Sequence, residues 1–286
     1  MQTQCVFCHL RTVESLIKKF RPEPEIADQF VNNALRLLAD NPKTPNPVVA
    51  TEIHRLARKA LGIDDLYRDE KHEANRLLLD HYETWESIVR ESPNPAKMAL
   101  RLAVLGNVID YGAHIVSDDL LTQVRSFLET LPVVDDSDQL LADAASAKSI
   151  LYLADNAGEI VLDRLLIESL DREKVTVAVR GFPVINDVTL EDAAEVGLDK
   201  TCRVIGNGYD APSTILEECS DELRTAYEEA DLVIAKGQGN LEGLIRERRP
   251  GLYFLLMAKC DPIADATGVN PGDMLIAASS RLRDAF

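Results

Sequence analysis

The sequence has no basic excess, no long apolar run and no cysteine framework, and each of these gaps removes a class of function. Its 286 residues carry 31 Lys and Arg against 48 Asp and Glu, a formal charge of −17. A field of that sign repels DNA, RNA and anionic lipid surfaces, so nucleic acid and membrane are poor partners. The longest clean apolar run, Leu252 to Ala258, falls far short of the roughly 20 residues a transmembrane helix needs. The opening Met1-Gln2-Thr3-Gln4-Cys5 lacks the basic and then apolar pattern of a secretory signal, which reads as a cytoplasmic protein. Five cysteines cannot all pair, in keeping with a reducing compartment. Gly 14, Pro 13 and 46% hydrophobic residues exclude low-complexity, collagenous and disordered chains. The length suits one large or two ordinary domains, and the sequence carries no signal for an oligomeric state.

What is present divides near residue 147. Up to there, apolar residues recur three or four apart, as in Met98, Leu102, Leu105 and Ile109, which predicts helices. Asn94-Pro95 supplies a helix start, and Pro22, Pro24, Pro45 and Pro47 break the earlier segments. From residue 148 the period changes. Short apolar runs at 150–154, 175–179, 202–205, 232–235 and 252–257 alternate with helical compositions at 159–170, 190–196, 220–229 and 241–248. That alternation predicts βαβ units and an α/β fold: a Rossmann-like open, mostly parallel sheet with helices on both faces, preceded by a helical domain over 1–147. The acid excess concentrates in the second part, with 14 basic against 25 acidic residues over 151–286 and 17 against 23 over 1–150.

Ligands of open α/β sheets bind at the carboxyl ends of the strands, so the segments that follow the apolar runs are the candidates for chemistry. These are Asp155-Asn156-Ala157-Gly158-Glu159, Arg180 to Thr189, Gly206 to Asp210, and Lys236-Gly237-Gln238-Gly239-Asn240. Two carboxylates and a carboxamide from separate strand ends suit a hard divalent cation, which makes Asp155, Asn156 and Asp187 the metal candidates. The plainer alternative is that Asp155 and Asp187 are N-caps of the helices that follow. Lys236 with its glycine turn could set an ammonium and backbone amides beside a phosphate, or be a surface lysine; it is not a Walker A motif. All five histidines, His9, His54, His72, His81 and His114, precede the sheet part, which excludes a Ser-His-Asp triad built within it and favours metal-assisted chemistry. Cys5-Val6-Phe7-Cys8 supplies half of a thiolate metal site, a redox pair or simply buried thiols. Asn107 and Asp110 stand three apart and so share a helix face, where they could roof the cleft or be an ordinary solvated pair.

Taken together, the Asp155 to Glu159 segment, Asn186-Asp187-Val188-Thr189 and Lys236 to Asn240 resemble the metal-dependent damage-control phosphatases, the acidic-residue methyltransferase-like family. Gly106-Asn107-Val108-Ile109-Asp110 extends the resemblance into the helical part, and Cys5 to Cys8 is similar to the prokaryotic stand-alone branch. The resemblance implies a divalent metal (Mn, Mg, Co or Ni) on Asp155, Asn156 and Asp187. It implies catalysis by Asp155, Asp187 and Lys236, with substrate bound by Asn107, Asp110, Arg180, Lys236 and Gly237. The implied reaction is hydrolysis of small phosphomonoesters such as sugar phosphates. Gln238, Gly239 and Asn240 stand where eukaryotic members carry Asp, Asn and Arg, a departure that bears on substrate choice. The competing readings are an S-adenosylmethionine-dependent methyltransferase, a non-catalytic metal-binding protein, and a nucleotide-dependent oxidoreductase suggested by Gly206-Asn207-Gly208-Tyr209-Asp210-Ala211. The last lacks the context of a first βα turn.

Overall fold

Strands buried on both faces read as unbroken apolar runs, and the five runs above become five adjacent strands of one sheet. A computed structural model of the chain describes residues 2–107 and 120–282. The first part holds α1 (Thr3–Phe20), α2 (Pro24–Asp40), α3 (Asn46–Leu61), α4 (Arg68–Leu79), α5 (Tyr82–Glu91), α6 (Pro95–Gly106) and α7 (Leu120–Glu129). Then come β1 (Val134–Asp135), α8 (Ser137–Ser146), β2 (Ile150–Leu153), α9 (Glu159–Ser169), β3 (Val175–Val179), α10 (Leu190–Glu195) and β4 (Arg203–Gly206). The remainder is α11 (Asp221–Glu229), β5 (Leu232–Lys236), α12 (Gly237–Leu244), β6 (Leu252–Met257), α13 (Asp261–Thr267) and β7 (Met274–Ala278).

The seven strands run in the order β1-β7-β6-β5-β2-β3-β4. All neighbours are parallel except β6 and β7. Chain order therefore reverses between β2 and β5, with Tyr152 facing Val177 on one side and Ile234 on the other. Alternate residues of each strand enter opposite cores. Tyr152, Val177, Ile234 and Leu255 pack with Leu102 and Leu105 of α6 and Leu162 and Leu166 of α9. Leu153, Ala178, Val233 and Phe254 pack with Leu223 of α11, Leu241 of α12 and Ile263 of α13. The first of these cores draws on residues from both sides of position 147. A third core, including Leu16, Phe30 and Ile53, belongs to α1–α3.

The start of α6 is the one expected. Pro95 occupies its first turn, and the Asn94 side chain accepts from Lys97 N at 3.1 Å, a cap that contributes about 1 kcal/mol. The helix ends at Gly106, where an added Cβ would lie 2.9 Å from Glu159 Cγ. Only glycine lets α6 approach the start of α9 this closely, and that approach delivers Asn107 to the sheet.

Candidate active site

The reversal of strand order leaves a crevice at the carboxyl ends of β2 and β5, the place where open α/β sheets bind ligands. Four segments converge there. Asp155 follows β2, Arg180 follows β3 with Asp187 on the return, Lys236 ends β5, and Asn107 arrives from α6. The backbone fixes their spacing: Val188 N donates to Asp155 O and Ala157 N to Asn186 O, each at 2.9 Å. Neither expected acid caps a helix. Gly158 is the N-cap of α9, and Thr189 caps α10 in a reciprocal box with Asp192.

The side chains form a dense, largely buried network. Asn107 Nδ2 donates to Asp155 Oδ2 at 3.0 Å and to Glu159 Oε2 at 3.2 Å, while its Oδ1 accepts from Met257 N at 3.2 Å. Asn156 Nδ2 donates to the same two carboxylates at 2.8 and 3.0 Å. With that end occupied, the free end of the Asn156 carboxamide is its oxygen. Arg180 Nε donates to Asp187 Oδ2 at 2.6 Å and Nη1 to Asn240 Oδ1 at 3.0 Å. Its Nη2 lies 3.6 Å from Asp155 Oδ1 and has no hydrogen-bond partner among the described residues, although the residue is buried.

Lys236 lies elsewhere than its glycine-rich setting suggested. Its side chain has no solvent exposure, and its ammonium donates to Glu159, Asp163 and the Ala103 carbonyl. Three hydrogens meet three acceptors, so its link to the crevice runs through Glu159. Burial lowers the lysine pKa, but the charges of Asp163 and Glu159 more than reverse this and hold it protonated. The glycines after Lys236 are not a turn either: α12 begins at Gly237, four residues earlier than expected. A Cβ there would sit 1.9 Å from Asp155 Oδ2 at a φ of +75°, so the residue is glycine for both space and conformation.

Within the cluster, Asp155, Asp187, Glu159 and Asp163 are buried with two buried cations, Arg180 and Lys236. Burial, with the charges of Asp187 and Glu159, pushes the Asp155 carboxyl well above the usual range. Burial likewise moves Asp187 up to about 6 against the pull of Arg180. A buried surplus of carboxylates must take up protons or a cation. Asp155, Asn156 and Asp187 offer oxygen donors at its open side, which fits a hard divalent ion. As the side chains stand, no three His, Cys, Asp or Glu among the described residues already surround one point.

The structure thus brings Asp155, Asn156, Asp187, Arg180, Asn107, Lys236 and Gly237 together. Asp110 lies outside the described residues, and Cys5 and Cys8 lie apart on α1. Glu159 and Asn240, at the ends of two of the segments named above, and Asp163 of α9 also belong to the network, outside the candidate site residues. The signal for Asp163 was a lone acid inside the apolar stretch Ile160 to Ile167. The glycine fingerprint at Gly206 to Ala211 follows β4, an edge strand, and contains Asp210, which is bound by Arg55 and Arg58.

Fold and site define a class: a doubly wound α/β protein with an acidic, carboxamide-lined crevice at its switch point. The chain belongs to the family of the damage-control phosphatase ARMT1-like domain, whose model matches residues 1–275. A damage-control phosphatase of Archaeoglobus fulgidus is 36% identical over 279 residues, covering 95% of this chain and 96% of the relative. One of Pyrococcus horikoshii is 30% identical over 280 residues, with 96% of each chain covered. The crystal structure of a DUF89 family protein from Pyrococcus horikoshii superposes with a TM-score of 0.90 at 30% identity, covering 98% of this chain and 99% of that one. No helix among the described residues is long and apolar enough to cross a membrane.

Proposed function

We propose that this chain is a divalent-metal-dependent phosphomonoesterase acting on small phosphorylated metabolites such as sugar phosphates, in a house-cleaning role. The reading is supported above all by the buried surplus of carboxylate charge at the switch point, beside an arginine nitrogen that has no hydrogen-bond partner among the described residues. Asp155, Asn156 and Asp187 are the residues that would hold Mn, Mg, Co or Ni. When bound, such an ion supplies Lewis-acid activation of phosphoryl oxygen and water.

The chain's own groups account for the rest. Arg180 Nη2 donates to a phosphoryl oxygen, and its guanidinium is held in place by Asp187 and Asn240. The first amides of α12 have no intrahelical acceptor and add donors beside Asp155. Together they counter charge building on the equatorial oxygens. Asn107 presents its amide to Asp155 and Glu159 at once, so it orients the carboxylate that faces the substrate. Lys236 is a positioning residue: by neutralising Glu159 and Asp163 it keeps Glu159 as the acceptor for both carboxamides.

The test is hydrolysis of p-nitrophenyl phosphate and a panel of sugar phosphates by metal-stripped protein, with each divalent ion added back. Metal-restored turnover that disappears in Asp155→Ala and Asp187→Ala is the expected result. Absence of hydrolysis with every ion and ester would reduce the crevice to a binding site.

A further inference from the structure

Outside the crevice, the cysteine pair at the start of the chain has company. Cys5 and Cys8 lie about one turn apart on α1. Gln4, beside Cys5, donates from Nε2 to Asp261 Oδ2 at 2.9 Å, which pins the first turn of α1 against the start of α13. Cys260 is the N-cap of α13, and it lies close enough to both Cys5 and Cys8 for their charges to bear on it. Glu242 of α12 bears on Cys5 and Cys260 alike. All three thiols are free; Cys8 is exposed, and the other two are half-buried.

The surroundings also hold a buried carboxyl group. Both Glu242 oxygens accept from Asn46 Nδ2 at 3.1 Å, and no cation pairs with this carboxyl among the described residues. Burial pushes it up to about 7. His9, the neighbour of Cys8, is 5% exposed, and its ring is held beside the Asn46 side chain. Three thiols and a carboxyl group from three separate parts of the chain make a donor set for a soft or borderline divalent ion.

We propose that Cys5, Cys8 and Cys260, with Glu242 as fourth donor, form a second cation site that takes zinc or another thiophilic divalent ion. The donors are not yet converged, and the exposed Cys8 side chain turns inward on capture. Each sulfur that becomes a ligand releases its proton to solvent. An ion held there braces α1 against α12 and α13. Because α12 begins at Gly237, the brace reaches the floor of the crevice. The inference does not depend on the phosphatase reading.

The test uses the full-length, reduced, metal-stripped protein carrying Asp155→Asn and Asp187→Asn, so that the carboxylate cluster contributes no site. Titration with Co²⁺ should give one equivalent of binding with a near-ultraviolet sulfur-to-cobalt charge-transfer band, displaced by Zn²⁺, and three thiols should become protected from a disulfide reagent. Adding Cys8→Ser or Cys260→Ser should weaken Co²⁺ binding by more than about 100-fold, since loss of an outer-shell partner alone costs 10–100-fold. Cys8 is exposed, so its variant tests the site without a folding penalty. The proposal is overturned if no charge-transfer band appears, if the band survives in Cys260→Ser, or if native protein yields a Cys5–Cys8 disulfide and binds no ion.

Discussion

Replacing Lys236 with Met keeps the length of the side chain and removes the buried cation shared by Glu159 and Asp163. Two buried carboxylates then face each other uncompensated, and the Ala103 carbonyl loses its donor. Removing one partner of a buried ion pair costs about 3–5 kcal/mol. For a chain of this size each kcal/mol lowers Tm by roughly 2–4 °C, so a fall on the order of 6–20 °C follows. The loss must also depend on pH. Asp163 is already raised by burial to about 7 despite the ammonium beside it, well above the reference value of about 3.9. An acid raised on folding stabilises the folded state while it is protonated; that contribution is complete below the unfolded pKa and fades as pH rises through the folded one. Without Lys236 the carboxyl moves further up. The deficit of the variant against wild type should therefore be smallest near pH 5.5 and grow towards pH 8.5. Circular dichroism melts of metal-free protein at three pH values measure it, and Lys236→Met/Asp163→Asn should recover part of the loss. A Tm within about 2 °C of wild type at every pH would refute the assignment of Lys236 as the neutralising centre.

Three further outcomes test the crevice. Asp155→Asn should raise the Tm of metal-free protein, because it relieves a surplus of buried charge, and should abolish the Tm gain on adding Mn²⁺; a variant no more stable than wild type without metal would contradict the charge accounting. Gly237→Ala should reduce kcat by at least about 100-fold while the protein still melts cooperatively, since its methyl group displaces Asp155 Oδ2; wild-type kinetics would show that the carboxylate is free to move. Arg180→Lys should lower kcat/KM by about 10²–10³-fold, the range for one lost transition-state donor, and a change in KM alone would make the arginine a ground-state anchor.

The strands and the loops that line the crevice were legible because parallel strands buried on both faces leave continuous apolar runs, each followed by its polar segment. Asp155, Asn156, Arg180 and Asp187 could be read for that reason. Glu159 showed only as the end of its segment, and Asp163 only as an acid inside an apolar stretch. Acids four apart on a helix look solvated until α6 closes over them, and that closure depends on Gly106, more than fifty residues away in sequence. Lys236 was readable as a strand-end lysine but not as a buried one, because its partners lie on α9 and in the Ala103 carbonyl. The glycines at 237 and 239 suggested a turn by composition, whereas the close approach to Asp155 that requires Gly237 is a tertiary contact. The strand β1 is too short to show a period, and the Met, Leu and Ala of β7 have as much helical as strand character.

The outer edge of the sheet has a consequence for how the chain is made. β1 pairs with β7 through Val134 and Leu275, about 140 residues apart, a separation of the kind that slows folding. At a synthesis rate of roughly 5–20 residues per second, β1 leaves the ribosome about 7–28 s before its partner exists. During that interval the growing chain carries an unpaired strand edge, and β6 also waits for β7. A nascent chain stalled before Met274 would present both edges at once, which makes the last strand the step that ends exposure to aggregation rather than a late addition to a finished sheet.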